Sequence, residues 1–202
     1  MEKLRSIRKI RILFLRLAFL PLIFVALFVW RKWPDESAED FLSEWGGYTL
    51  LLLGVGIRIW ATLYIGQRKG KQLITEGPFS ISRNPLYIGS LLIMSGISLC
   101  LENLVMLAAG LLIMIPIHLW VILSEEKHLA EAFGEQYLEY KKCVPRFGFA
   151  FRNFHTADTI EVSVRSIYRA TGAAMIALTV PAIGDLIEML HADGILPVLW
   201  TF

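Results

Sequence analysis

The sequence predicts an all-α integral membrane protein, a bundle of about five transmembrane helices. Three observations carry that reading. Of 202 residues, 55% are hydrophobic and 19% charged, with a mean hydropathy of +0.56, well to the apolar side of an ordinary soluble domain. Apolar runs recur at the length of about 20 residues that a bilayer core of about 30 Å requires. Lys and Arg gather at the ends of these runs rather than along one polar segment, a pattern that reports topology. A formal net charge of +2 is too small to argue for a nucleic-acid partner.

The first span is expected over residues 12–30, behind a basic stretch with Lys3, Arg5, Arg8, Lys9 and Arg11. A signal peptide has the same outline, but this run is long and no small-residue cleavage site follows Trp30, so the helix is expected to be retained. A polar loop over residues 31–44 leads to a second span, 46–65, interrupted by Arg58. The third span, 85–101, and the fourth, 104–123, are joined only by Glu102 and Asn103 and so form an antiparallel hairpin. A fifth covers 167–190, with Pro181 as a kink, and a short apolar tail, 195–202, follows. No internal repeat is present. Residues 1–45, 46–153 and 154–202 are read as an amino-terminal helix and loop, a central core, and a carboxyl-terminal helix and tail.

Basic residues alternate between the connections. Arg68, Lys69, Lys71 and Arg83 follow the second span, Lys127, Lys141, Lys142, Arg146 and Arg152 follow the fourth, and the other side has only Arg31 and Lys32. The amino terminus is therefore expected in the cytoplasm, the carboxyl terminus outside, and residues 66–84 and 124–166 together on the cytoplasmic face. Cys100 and Cys143 fall at opposite ends of neighbouring segments, so both thiols are expected to be free.

Residues 77–87 hold the densest candidate chemistry. Gly77-Pro78 marks a turn, Asn84 suits a helix cap and Pro85 the first helical position, so the third span starts at the membrane boundary. Unpaired N–H groups at a helix start, beside the Arg83 guanidinium, make an anion site. The competing reading is an ordinary helix start with Arg83 among the lipid headgroups. At the far end of the hairpin, Glu125 and Glu126 are placed at a helix carboxyl terminus, where adjacent carboxylates oppose the dipole and call for a cationic or hydroxyl-rich partner. A solvated helix end is the bland alternative. His118 lies two turns before Glu125 near the same face, and Arg58 sits within the second span. Intramembrane ionisable groups are functional candidates by default, against snorkelling for Arg58 and core packing for His118. A lone His is no metal site, and no metal is expected. Tyr137 and Tyr140, with Lys141 and Lys142, suit a short interfacial helix or the lid of a pocket.

In this order these pieces resemble the signature of the isoprenylcysteine carboxyl methyltransferase and phospholipid methyltransferase family. The pattern is similar at Arg58, Trp60 and Ala61; at Gly77 to Tyr87, as Gly-Pro-aromatic and Arg-x-Pro-x-Tyr; at Glu125, Glu126 and Leu129; and at Phe133-Gly-x-x-Tyr-x-x-Tyr with Val144-Pro145-Arg146. It covers about residues 46–147. Asn84 stands where the family has His, and Leu119 to Ser124 lack an Arg that the family commonly carries before the Glu pair. The resemblance implies S-adenosylmethionine bound at the cytoplasmic end of the hairpin. Its carboxylate would meet Asn84, Pro85, Leu86 and Tyr87, and Glu125 and Glu126 would hold the ammonium or ribose hydroxyls. Phe79, Tyr137 and Tyr140 would flank adenine or the sulfonium. Arg83 and Glu125 are the catalytic candidates, with Arg83 orienting either the donor or an acceptor carboxylate, and Arg58 and His118 are candidate substrate contacts.

The implied partners are the bilayer and a lipophilic small-molecule or prenylated acceptor. Gly172-Ala173-Ala174, Asp185 and Glu188 are expected to serve helix packing or a homodimer. Two other readings compete: an NADPH-dependent membrane reductase of sterol-reductase-like architecture, and a non-catalytic scaffold for which Asn84 is the clue.

Overall fold

The computed structural model describes residues 21–30, 37–66 and 72–201. Residues 12–20 of the expected first span, and Arg31, Lys32, Arg68, Lys69 and Lys71, lie outside the described residues. Seven α-helices are described in full: α1 (Ala38–Ile65), α2 (Pro78–Ile81), α3 (Pro85–Cys100), α4 (Leu104–Phe133), α5 (Glu135–Cys143), α6 (Val164–Leu178) and α7 (Val180–Ala192). Residues 21–28 are also helical, and a two-residue strand, Val29–Trp30, pairs in parallel with Trp200–Thr201.

The chain is an integral membrane protein of all-α class. Among the described residues α1, α4 and the run Val164–Ala192 are long and apolar enough to cross a bilayer, and α3 is a shorter apolar helix. At 1.5 Å per residue the 16 residues of α3 reach only about 24 Å. The 28 residues of α1 reach about 42 Å, because the helix starts at Ala38 inside what the sequence suggested was a polar loop. Ser37 explains the early start: its Oγ accepts the Asp40 N–H at 3.2 Å, a helix cap. The carboxyl-terminal run breaks at Thr179, two residues before Pro181, which sits in the first turn of α7, as a proline that cannot donate requires.

The chain separates into two compact units that interleave along the sequence. The first comprises residues 1–52, 91–121 and 176–202. Glycines let α1 and α3 approach closely here: a Cβ on Gly47 would lie 2.7 Å from Cys100 N, and one on Gly96 2.6 Å from Leu51 N. Asn103 caps α4 by accepting the Met106 N–H at 2.8 Å and donates from its amide to the Val25 and Val29 carbonyls. Asp185 and Glu188, expected to serve packing or dimerisation, line a cavity of about 200 Å³ with Asp40, Glu44, Tyr48 and Cys100. Cys100 and Cys143 carry free thiols.

The second unit comprises residues 53–90 and 122–175. Its core is Ala61, Tyr64 and Phe79, with Trp60, Leu63, Leu86 and Ile160 packed against them. Gly77 adopts φ of 58°, and a Cβ there would fall 2.3 Å from Tyr64 Cζ. Only glycine meets both demands.

Candidate functional site

Within the second unit, residues 77–90, 122–126 and 135–155 converge. After the Gly77 turn, all four residues of α2 are buried. The Ser80 hydroxyl donates to the Gly77 carbonyl at 2.6 Å, and Ser82 is extended. Arg83 and Asn84 then lead into α3, whose first bonds run from Tyr87 N and Ile88 N to the Asn84 carbonyl at 3.1 and 3.2 Å. The Asn84 side-chain amide donates to the Arg146 carbonyl at 3.2 Å. Arg83 N–H donates to the Pro145 carbonyl at 3.0 Å, and Ala150 N–H to the Ile81 carbonyl at 3.0 Å. The helix start is thus stitched by backbone bonds to the segment after α5.

Glu126 is the electrostatic centre. Arg146 grips it with two bonds, Nε to Oε1 at 3.0 Å and Nη2 to Oε2 at 2.8 Å, the bidentate geometry that suits guanidinium and carboxylate. Arg83 Nη1 approaches Oε1 from the other side at 3.1 Å, with the Arg83 and Glu126 side chains only 9% and 10% exposed. The bond to Glu126 holds Arg146 still more firmly protonated than an ordinary arginine. Its neighbour Glu125 has a different partner: the Tyr87 hydroxyl donates to Glu125 Oε2 at 3.0 Å.

The dipole argument built on the Glu pair does not survive. The helix runs to Phe133, two turns past Glu126, so neither carboxylate stands at a helix end. The cationic partner looked for there exists, and it consists of Arg83 and Arg146.

Tyr137 and Tyr140 are not headgroup-level anchors. Tyr137 is buried, the Tyr140 hydroxyl donates to the Phe79 carbonyl at 2.7 Å, and the two rings lie 6.2 Å apart. Burial pushes both phenols above their ordinary value. For Tyr137 the adjoining Arg83 charge pulls the other way, more weakly than burial and Glu126 push up. Arg83 Nε and Nη1 and the Tyr137 hydroxyl are buried with no aligned hydrogen-bond partner among the described residues. The Arg83 Nη1 charge is met by Glu126 Oε1 at 3.1 Å, which leaves Arg83 Nε and the Tyr137 hydroxyl as buried polar groups whose bonding a further acceptor would complete.

Arg58 is anchored rather than snorkelling: its Nη1 donates to the Leu86 carbonyl at 3.3 Å and to Ser90 Oγ. Gly89 makes room for it, since a Cβ there would meet Arg58 Cγ at 2.6 Å. Pro85 is buried and Leu86 half-buried beside it. His118 belongs to the other unit, where its Nδ1 bonds to the Met114 carbonyl at 2.7 Å. The structure therefore gathers Phe79, Arg83, Asn84, Pro85, Leu86, Tyr87, Glu125, Glu126, Tyr137 and Tyr140 in one unit, with Arg58 bonded to the first turns of α3 and His118 apart. Arg146 was missing from the sequence-derived site, although Val144-Pro145-Arg146 stood within the pattern. An open groove beside Tyr140, with Thr75, Gln136, Glu139 and His155 on its walls, adjoins these residues.

Residues 42–136 match the phospholipid methyltransferase family. The chain is 31% identical to the cobalt-zinc-cadmium resistance protein CzcN of Cupriavidus metallidurans over 87% of its own length and 80% of the relative's. It is 28% identical to the nickel-cobalt-cadmium resistance protein NccN of Alcaligenes xylosoxydans over 82% and 77%. It is 30% identical to protein-S-isoprenylcysteine O-methyltransferase B of Arabidopsis thaliana over 55% and 61%. No solved structure matches the chain.

Proposed function

We propose that this chain, which belongs to the phospholipid methyltransferase and isoprenylcysteine carboxyl methyltransferase family of integral membrane proteins, transfers a methyl group from S-adenosylmethionine to a small lipophilic or lipid-like acceptor. One observation carries the reading. Arg83 Nε and the Tyr137 hydroxyl are buried side by side with no aligned hydrogen bond among the described residues, and a bound carboxylate oxygen would supply one.

The residues present fit such a donor. Arg83 and the Tyr137 hydroxyl would take its carboxylate, at the start of α3 where the helix dipole favours an anion. Glu125, which accepts the Tyr87 phenol, is placed to accept also from its ammonium or ribose hydroxyls. Glu126 is committed to Arg83 and Arg146, so its task is to fix the Arg83 guanidinium. Tyr140 lines the groove, which would suit the polar nucleoside end, with Phe79 in the core behind it. When bound, S-adenosylmethionine supplies an electrophilic methyl group on a sulfonium. The protein's part is alignment of the acceptor and exclusion of water, which an anionic acceptor needs more than proton transfer. The orientation that accompanies this reading puts the site on the cytoplasmic face, as the alternation of basic residues requires.

Calorimetry on the detergent-solubilised chain tests the assignment. Saturable binding of S-adenosylhomocysteine, weakened by Arg83→Gln and unchanged by Glu131→Gln on the exposed face of α4, is expected. Binding of NADPH alone would support a reductase instead, and binding of neither would favour a scaffold.

A further inference from the structure

The segment that follows α5 has two faces of opposite character. Its backbone and inner side chains are tied to the site through Arg83 N–H to Pro145 O, Ala150 N–H to Ile81 O and Gly77 N–H to His155 O, at 2.8 to 3.0 Å. Its outer face carries Phe147, Phe149, Phe151 and Phe154, all exposed, Phe151 by 69%. Phe149 and Phe151 stack with centroids 5.5 Å apart, so they form a continuous apolar surface. Lys142 and Arg152, likewise exposed, flank and interrupt this run in sequence.

Four large aromatic side chains left in water on one short segment are unfavourable and mark a contact surface. Their setting identifies the contact. Residues 134–163 join α4 to α6, helices that both belong to membrane-spanning runs, so this segment starts and ends at one membrane surface. Phe154 packs against Trp60, with centroids 6.1 Å apart. Trp60 lies in the last two turns of α1, the depth at which aromatic residues line a bilayer interface. Exposed phenylalanines interspersed with cations complement an interface of acyl chains beneath anionic headgroups.

We infer that residues 147–154 insert their phenylalanines into the adjoining leaflet while Lys142 and Arg152 bind anionic phospholipid headgroups, so that anionic lipid holds in place the segment that backs the Arg83 site. The occupant is the surrounding lipid, and no second copy or soluble partner is required. This rests on exposed groups outside the methyl-transfer site and holds whether or not that assignment does.

Nitroxide accessibility tests it. The full chain carrying Cys100→Ser and Cys143→Ser is labelled at Phe151→Cys or, as a water-facing reference, at Asp158→Cys. It is reconstituted in phosphatidylcholine alone or in an equimolar mixture with phosphatidylglycerol. In the mixture, the ratio of collision rates with oxygen and with a water-soluble nickel chelate should be severalfold higher at 151 than at 158. It should fall in phosphatidylcholine alone, and Lys142→Gln with Arg152→Gln should abolish that difference between lipids. Equal ratios at 151 and 158 overturn the inference, as does a ratio at 151 indifferent to phosphatidylglycerol. Dipolar broadening between labels would show a dimer interface and overturn it too. Hydrogen exchange on the unsubstituted chain gives an independent reading: residues 147–154 should exchange more slowly in the anionic mixture, and equal rates in both lipids count against it.

Discussion

Replacing Glu126 with Gln should destabilise the protein far more than replacing Glu125, although the two carboxylates are adjacent in sequence. Glu126 receives two bonds from Arg146 and an ion pair from Arg83; Glu125 receives one phenol bond from Tyr87. Removing the charge leaves the Arg83 guanidinium, nine-tenths buried, with no anion among its described contacts. Breaking a buried ion pair from one side costs about 3–5 kcal/mol. The lower end, about 3 kcal/mol, applies here because the Arg146 side chain is 34% exposed and water can relieve part of its loss. Losing the single phenol bond at Glu125 costs about 1 kcal/mol. Steric-trapping or detergent-unfolding measurements on Glu126→Gln, Glu125→Gln, Arg146→Gln and the Glu126→Gln, Arg146→Gln double variant supply the comparison. The double variant should be less destabilised than the sum of its singles, because the two partners share one interaction. Equal stability losses at 125 and 126 would refute the clamp. So would a Glu126→Gln chain of unchanged stability that no longer binds S-adenosylhomocysteine, since Glu126 would then be a ligand contact.

Arg83→Lys should lose at least about tenfold in S-adenosylhomocysteine affinity by calorimetry, because an ammonium cannot reproduce the planar donor array. Tyr137→Phe removes a buried hydroxyl that adjoins Arg83 but makes no aligned hydrogen bond among the described residues; thermal unfolding should change little while ligand affinity falls. Gly77→Ala should cost about 2–3 kcal/mol in the same unfolding assay, since a Cβ meets the Tyr64 ring at 2.3 Å and φ is positive. Burial raises the Tyr140 phenol, so above about pH 10 the unfolded chain loses that proton before the folded one does. Stability is undiminished below that pH and declines as pH rises beyond it. Ultraviolet titration should show fewer tyrosines ionising in the folded chain than the total of six, and Tyr140→Phe should flatten the alkaline decline.

Composition and apolar run length were enough to give the membrane class, the α3–α4 hairpin and the break near Pro181, because hydrocarbon leaves few backbone solutions other than helices. Local chemistry located the start of α3, where Asn84-Pro85 limits what the backbone can do. The motif order pointed to the family and to the residues the second unit gathers. Sequence could not assign partners, since partnership depends on which side chains meet after folding. Glu125 and Glu126 look equivalent as a dipeptide, yet about 100° of helical rotation turns one toward Tyr87 and the other toward Arg83 and Arg146. Tyr137 and Tyr140 had the composition of an interfacial helix, and the aromatic surface lies instead at Phe147 to Phe154. The α5 tyrosines turn inward because the Phe79 carbonyl and the Arg83 guanidinium, more than fifty residues earlier, supply polar neighbours that no local pattern records.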